Sequence, residues 1–210
     1  MSIKEALNEI TKSNDKFKFY LEHILSGEAT DAEITETLVS LNEYGIDYYV
    51  LNALVSVMNS YVDNIELSNN DFIDTCGTGG SNLKIFNCST ITAFVVASCG
   101  AGVVKHGNKS ITSKSGSADF LARAGVNINN DKANAISAFN QFGITFLFAP
   151  TYHQRLRYVA AQRKALGVRT VFNVVGPLVN PANPNYQIIG TSDSQINEAV
   201  INVLKNKGLT

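Results

Sequence analysis

Neither sign of charge is in excess in this 210-residue chain: 17 Lys and Arg stand against 18 Asp and Glu, a formal net charge of −1. That balance argues against a nucleic-acid coat and against a polybasic membrane anchor, while leaving room for local basic clefts. Cysteine is scarce as well. Cys76, Cys88 and Cys99 lie far apart with no CxxC pair, which suits reduced thiols better than a disulfide framework or a zinc knuckle. No apolar run reaches the roughly 20 residues of a membrane span. Met1 to Asn14 is amphipathic and charged throughout, unlike a secretory signal. Internal repeats, low-complexity tracts and long linkers are also missing. The expectation is a cytoplasmic protein without nucleic-acid or membrane partners. Its 45% hydrophobic content is enough for one large domain, or a domain with a smaller lobe.

What the chain does have is concentrated between residues 74 and 119, the stretch densest in Gly, Ser, Thr and Asn. It holds two polar loops separated by one apolar helix. The first is Gly77-Thr78-Gly79-Gly80-Ser81-Asn82, running on to Asn87-Cys88-Ser89-Thr90. The second runs from Lys105-His106-Gly107-Asn108 to Ser113. Short apolar runs that read as strands precede both, Phe72-Ile73 and Val103-Val104. Glycines let backbone approach a ligand closely. Main-chain N–H groups and a helix N-terminus then favour an anion. Lys105 and Lys109 add charge without bidentate geometry. A lone glycine turn reads equally well as a tight connection; two around one helix favour a phosphate-rich ligand.

Residues 1–66 read as an all-helical lobe. Ser2 with Glu5 and Thr30 with Glu33 form capping boxes, Asp47 caps a fourth helix, and Gly27 and Gly45 are stops. His23 in this lobe reads as a surface or packing residue. From residue 71 to 210 short strands alternate with helices, an α/β pattern. Ser89 to Gly100 is apolar almost all round and reads as a buried helix. Val126 and Ile128 suggest a short strand, and the run from Ile144 to Ala149 a central one. Tyr152 to Arg169 is the most cationic segment, with Arg155 and Lys164 read as a solvated basic face. After the helix ending near Lys207, alternation calls for another parallel strand, so the sheet is expected to be incomplete.

These motifs resemble anthranilate phosphoribosyltransferase. The matching pieces are GTGG from Gly77, N-x-S-T from Asn87, KHGN from Lys105, SGSAD from Ser115, FLFAP from Phe146, His153, and RxxLGxRTxFNxxGPLxNP from Arg163. They run in order over residues 71 to 190, and KHGN with GPLxNP is a specific combination. The resemblance implies a nucleoside phosphorylase/phosphoribosyltransferase-like architecture, with residues 154–182 packing against the helical lobe and a homodimer formed through that lobe. It implies transfer of the phosphoribosyl group of PRPP to anthranilate with Mg²⁺, in tryptophan biosynthesis. Gly77, Gly80, Ser81, Asn87, Cys88, Ser89, Thr90, Lys105, His106, Gly107, Asn108, Lys109, Ser110, Ile111, Thr112, Ser113 and Ser117 would hold PRPP. Ser89 would also bind magnesium. Gly77, Asn108, His153, Arg163 and Pro177 would contact anthranilate, with His106, Asn108 and Arg163 as the catalytic set.

Three departures qualify this. Ser81 stands where the family has a carboxylate, and Ile85 where it has a hydroxyl. The family's magnesium-binding Asp-Glu pair falls beyond residue 210, so the chain alone is expected to be weak or inactive; magnesium-dependent turnover by it would refute that. Two other readings are a pyrimidine nucleoside phosphorylase, which turnover of thymidine with phosphate would reveal, and a non-catalytic relative that binds nucleic acid or protein.

Overall fold

The computed structural model describes residues 2–68, 71–79, 86–110, 115–191 and 193–208. Four helices open it: α1 (Ile3–Asn8), α2 (Asp15–Ile24), α3 (Asp31–Tyr44) and α4 (Tyr48–Tyr61). Their starts follow the capping residues. The Glu5 N–H donates to Ser2 Oγ while the Ser2 N–H donates to the Glu5 carboxylate at 2.8 Å. Thr30 and Glu33 repeat this exchange before α3, and Asp47 Oδ1 accepts from the Val50 N–H at 2.8 Å. Such a cap is worth about 1 kcal/mol. Each helix then buries a stripe, including Ile3, Phe17, Leu21, Leu38 and Leu54, at about 1.5–3 kcal/mol per large side chain.

Beyond the helices, β1 (Phe72–Thr75), α5 (Cys88–Ser98), β2 (Gly102–Gly107), α6 (Ser117–Arg123), α7 (Lys132–Phe142) and β3 (Ile144–Phe148) alternate. There follow α8 (Ala149–Tyr152), α9 (Arg157–Leu166), α10 (Val171–Val175), β4 (Tyr186–Ile188) and α11 (Ser194–Asn206), with 3-10 turns at Gln154–Leu156 and Gly176–Val179. The four strands pair in parallel in the order β3-β2-β1-β4. Parallel neighbours need crossovers, which the helices supply. Ile73 lies opposite Val103 on one side and Tyr186 on the other. Both polar loops therefore leave the same end of two adjacent central strands.

The helices of the first lobe do not close their core alone. Val159 of α9, Val171 and Val174 of α10, Leu178, and Ile196, Val200 and Val203 of α11 join the same apolar cluster. A second cluster, with Phe72, Val104, Phe139 and Leu147, fills one face of the sheet. Among the described residues no helix is long and apolar enough to cross a membrane.

Three expectations give way. Val126 and Ile128 form no strand; Ile128 instead packs with Ala118, Leu121 and Phe146. β3 is the outer strand among those described, not a central one, yet its middle is buried because Leu147 and Phe146 feed two different clusters. The largest change concerns α5. Of its side chains only Thr90 and Ala93 are buried, while Ile91, Phe94 and Val95 are exposed, Val95 to 56%. One side of α5 sits on β1 and β2, and no described element covers the other.

Candidate active site

β1 carries Asp74 and Thr75 to the mouth of the first loop, and β2 carries Lys105 and His106 to the mouth of the second. The Lys105 side chain is 3% exposed. Its Nζ donates to the Thr75 carbonyl and, at 3.3 Å, to Ser89 Oγ. Thr75 Oγ1 in turn donates to the Ser89 carbonyl at 2.8 Å, so strand, lysine and helix start are tied in one knot.

Asn87, at the N-terminus of α5, makes no side-chain cap for its own helix. Its Nδ2 reaches across to the Gly116 carbonyl at 3.2 Å and to Ser115 Oγ at 3.4 Å. That contact joins the first loop to the second. Asp119 organises the far side: its Oδ2 accepts from the N–H groups of Ser110 at 2.9 Å and Gly116 at 2.8 Å. The Ala118 N–H and Ser117 Oγ both donate to the Asn108 carbonyl.

Under the loops lies a buried polar layer. Asp74 is fully buried; its Oδ1 accepts from the His106 N–H at 3.2 Å and its Oδ2 from Asn180 Nδ2 at 2.9 Å. Asn180 Nδ2 also donates to the Val104 carbonyl. Burial pushes the Asp74 carboxyl up to about 6, although the nearby Lys105 charge and the Asn180 and His106 bonds oppose that rise. This layer pins the turn after α10 to the two central strands.

Two histidines stand side by side, ring centroids 5.2 Å apart. His106 Nδ1 faces the Gly176 carbonyl at 3.0 Å and His153 Nε2 faces the Val179 carbonyl at 2.9 Å. A carbonyl can only accept, so each of these nitrogens carries its proton. His106 Nε2 is left as a lone pair, buried and without a partner. Burial, and secondarily the neighbouring His153, hold His106 down at about 3; burial holds His153 at about 4.

These depressed values make stability depend on pH. Between them and the unfolded 6.5 the unfolded chain binds more protons, so stability falls as pH falls. From pH 7 to 5 each imidazole removes about 2 kcal/mol. Asp74, raised to about 6, takes up a proton in the folded state and returns about 1 kcal/mol. Denaturant titrations should therefore show a net loss of about 2–3 kcal/mol at pH 5. A stability that is flat over this range would mean that the pair is not buried as described.

Arg163, on α9, is 7% exposed. Its guanidinium stands 5.4 Å from the Phe172 ring, and its Nε has no hydrogen-bond partner. Burial lowers it to about 10, still cationic near neutral pH. Arg169 is better satisfied, giving Nη2 to Thr78 Oγ1 at 2.8 Å, and the Thr78 N–H donates to the Gly190 carbonyl at 2.9 Å. The ion pairs among the described residues are Lys16–Glu9 and Lys132–Asp63, and His23 Nε2 lies 3.5 Å from the Glu33 carboxylate. Neither Lys105 nor Arg163 belongs to one. Lys105 and Arg163 are thus buried cations outside those pairs, Lys105 with the buried Asp74 nearby, and each can receive an anion.

Residues 69–209 match the glycosyl transferase family, a/b domain. The chain belongs to this family. It is 41% identical to an anthranilate phosphoribosyltransferase of Persephonella marina over 212 residues, covering 99% of this chain and 62% of that protein. The crystal structure of anthranilate phosphoribosyltransferase from Thermus thermophilus superposes with a TM-score of 0.86 at 30% identity, over 97% of this chain and 63% of that one. The Saccharomyces cerevisiae enzyme, in complex with PRPP and Mg, shares the fold at a TM-score of 0.82 and 22% identity, over 96% of this chain and 61% of its own. The chain thus spans a little over three-fifths of the length of these relatives.

Within this glycosyl transferase frame, the structure gathers Gly77, Asn87, Cys88, Ser89, Thr90, Lys105, His106, Gly107, Asn108, Lys109, Ser110 and Ser117 around the two loops. Thr90 Oγ1 is buried there without a partner. Lys109 Nζ lies 5.9 Å from the centre of the Phe148 ring. His153 joins the group through His106, and Pro177 through the turn whose Gly176 carbonyl holds that ring. Arg163 lies against Phe172 of α10, the helix that leads into that turn. Gly80, Ser81, Ile111, Thr112, Ser113 and Ile85 lie outside the described residues. Sequence reasoning missed Asp74, Asn180, Asp119 and the Arg169–Thr78 link. A carboxylate inside the apolar run Phe72-Ile73-Asp74 was the one available signal for the first.

Proposed function

We propose that the chain supplies most of the substrate-holding machinery of an anthranilate phosphoribosyltransferase, which joins the phosphoribosyl group of PRPP to the amine of anthranilate in tryptophan biosynthesis. The observation that carries this reading is the pair of buried cations that belong to none of the described ion pairs. Lys105, with the two loops, takes the diphosphate; Arg163 takes the carboxylate of the aromatic acid. The amine nitrogen attacks the ribose carbon as the bond from that carbon to the pyrophosphate oxygen breaks. Positive charge builds on the sugar and negative charge on the leaving group, which fixed N–H donors and Lys105 stabilise. A neutral His106, its Nε2 lone pair free, accepts an N–H of the amine and orients it. The aromatic amine is uncharged near neutral pH and needs no strong base; its proton leaves after the bond forms.

Magnesium would neutralise the departing pyrophosphate. Ser89 is a poor ligand by itself, because its Oγ already lies 3.3 Å from the Lys105 ammonium. Among the described residues no group of three His, Cys, Asp or Glu could hold a metal ion. The described residues therefore do not fit the ion unaided, and no step here depends on it. The protein in this reading is two-lobed and cytoplasmic, residues 1–66 with 154–182 against the strands of 71–210. It forms a homodimer through the helical lobe, where Phe19, Val39, Tyr44 and Tyr49 are exposed.

Calorimetric titration of PRPP tests the reading. The chain should bind it, and Lys105→Met should weaken binding at least about tenfold, near 1.4 kcal/mol. PRPP binding that is absent, or unchanged in the variant, would overturn the assignment.

A further inference from the structure

A second group of cations sits away from these loops. Arg155, expected on a solvated face, lies with its guanidinium 3.4 Å from the centre of the Tyr61 ring. Two residues on, the Arg157 guanidinium is 4.8 Å from the Tyr158 ring and donates Nη2 to Tyr158 Oη at 2.7 Å. Both arginines line a cavity of about 360 Å³ where the ends of α2 and α4 meet the α8–α9 segment.

The shape of this cavity is maintained by its surroundings. Gly27 has a φ of +91°, and a Cβ there would come within 2.5 Å of the Tyr158 ring, so no other residue leaves that ring in place. Tyr152, almost fully buried, forms part of the wall, and its hydroxyl has no partner. It stays an O–H near neutral pH, because burial and Asp63 push it up to about 12. Asp63 is the acidic lining residue, and Lys132 already neutralises it.

A guanidinium held beside an aromatic ring keeps its N–H donors for other partners. Five in-plane N–H groups remain on Arg155, none bonded to a described residue, and most of those on Arg157. Two adjacent forks of donors beside tyrosine rings match the oxygens of a carboxylate or phosphate. The lining residues share none with the loops described above, so the cavity is independent of the PRPP assignment.

We propose that this cavity is a second ligand site, for a small organic oxyanion, with Arg155 and Arg157 as its anchors. A volume of this size holds a compact acid. The occupant bridges Tyr61 at the end of α4 and the segment that leads into α9.

Calorimetry with citrate and with glycerol 3-phosphate tests this on the wild type, on Arg155→Gln/Arg157→Gln and on Lys105→Met. At least one probe should bind the wild type and Lys105→Met alike, at about millimolar affinity or tighter. The double glutamine variant should lose about tenfold or more, and Arg155→Gln alone should weaken binding if the double variant does not fold. The preferred probe identifies the oxyanion as carboxylate or phosphate. No binding by either probe, equal binding by the glutamine variants, or loss on Lys105→Met would overturn the site.

Discussion

Arg163→Ala will weaken anthranilate by about a hundredfold and leave PRPP within about twofold. The guanidinium is the buried cation of α9 and has no carboxylate of its own. A charge-assisted pair to a substrate carboxylate in such surroundings is worth about 2–3 kcal/mol. The Phe172 ring lies 5.4 Å from the group, and the Arg163 Nε has no hydrogen-bond partner and is left to bond. In the proposed reading the diphosphate depends on Lys105 and the main chain of the loops, not on α9. Equal loss of both ligands in paired titrations would contradict the division of labour. Stability should move the other way. An unpaired buried charge is a burden on the empty protein, so Arg163→Met should melt at the same temperature or a few degrees higher, by about 1 kcal/mol or less. A strongly destabilised Arg163→Met would make the arginine a structural ion.

Much of this arrangement is legible in the sequence because its signals are local. Capping boxes at Ser2 and Thr30, the Asp47 cap and the stop at Gly45 each involve residues three or four apart. The two loops are legible for the same reason, since the glycines, Lys105 and Asn87 sit beside their own strands. What the sequence does not disclose is what lies against what. An all-apolar α5 reads as buried, but periodicity does not say which element covers a helix, and half of this one faces outward. Arg155 reads as a solvated charge because Tyr61 is far from it in the chain. The Asp74–Asn180 bond spans 106 residues, and nothing near either partner announces the other.

The second large effect concerns a residue that has no side chain of its own. A Cβ on Gly116 would stand 2.6 Å from the Asn108 carbonyl oxygen and the Ser110 nitrogen, and 2.9 Å from the Lys109 carbonyl carbon. All three are main-chain atoms of the second loop, so no side-chain rotation relieves the clash. At Gly107 the obstacles are Ser117 Oγ and the Phe146 ring, which can turn aside. Gly116→Ala must therefore push the two segments apart, and with them the Asp119 bonds to Ser110 and Gly116 and the Asn87 bond to the Gly116 carbonyl. Overpacking of this kind removes about 2–3 kcal/mol of stability. PRPP binding should fall about a hundredfold, because the loops are no longer held as one cradle. Gly176→Ala is the matched control: its φ is −47° and nothing lies within 4 Å of a Cβ there, so its stability should be unchanged or higher by up to about 1 kcal/mol. If Gly116→Ala binds PRPP as the wild type does, the contact between the loops is not what forms the site.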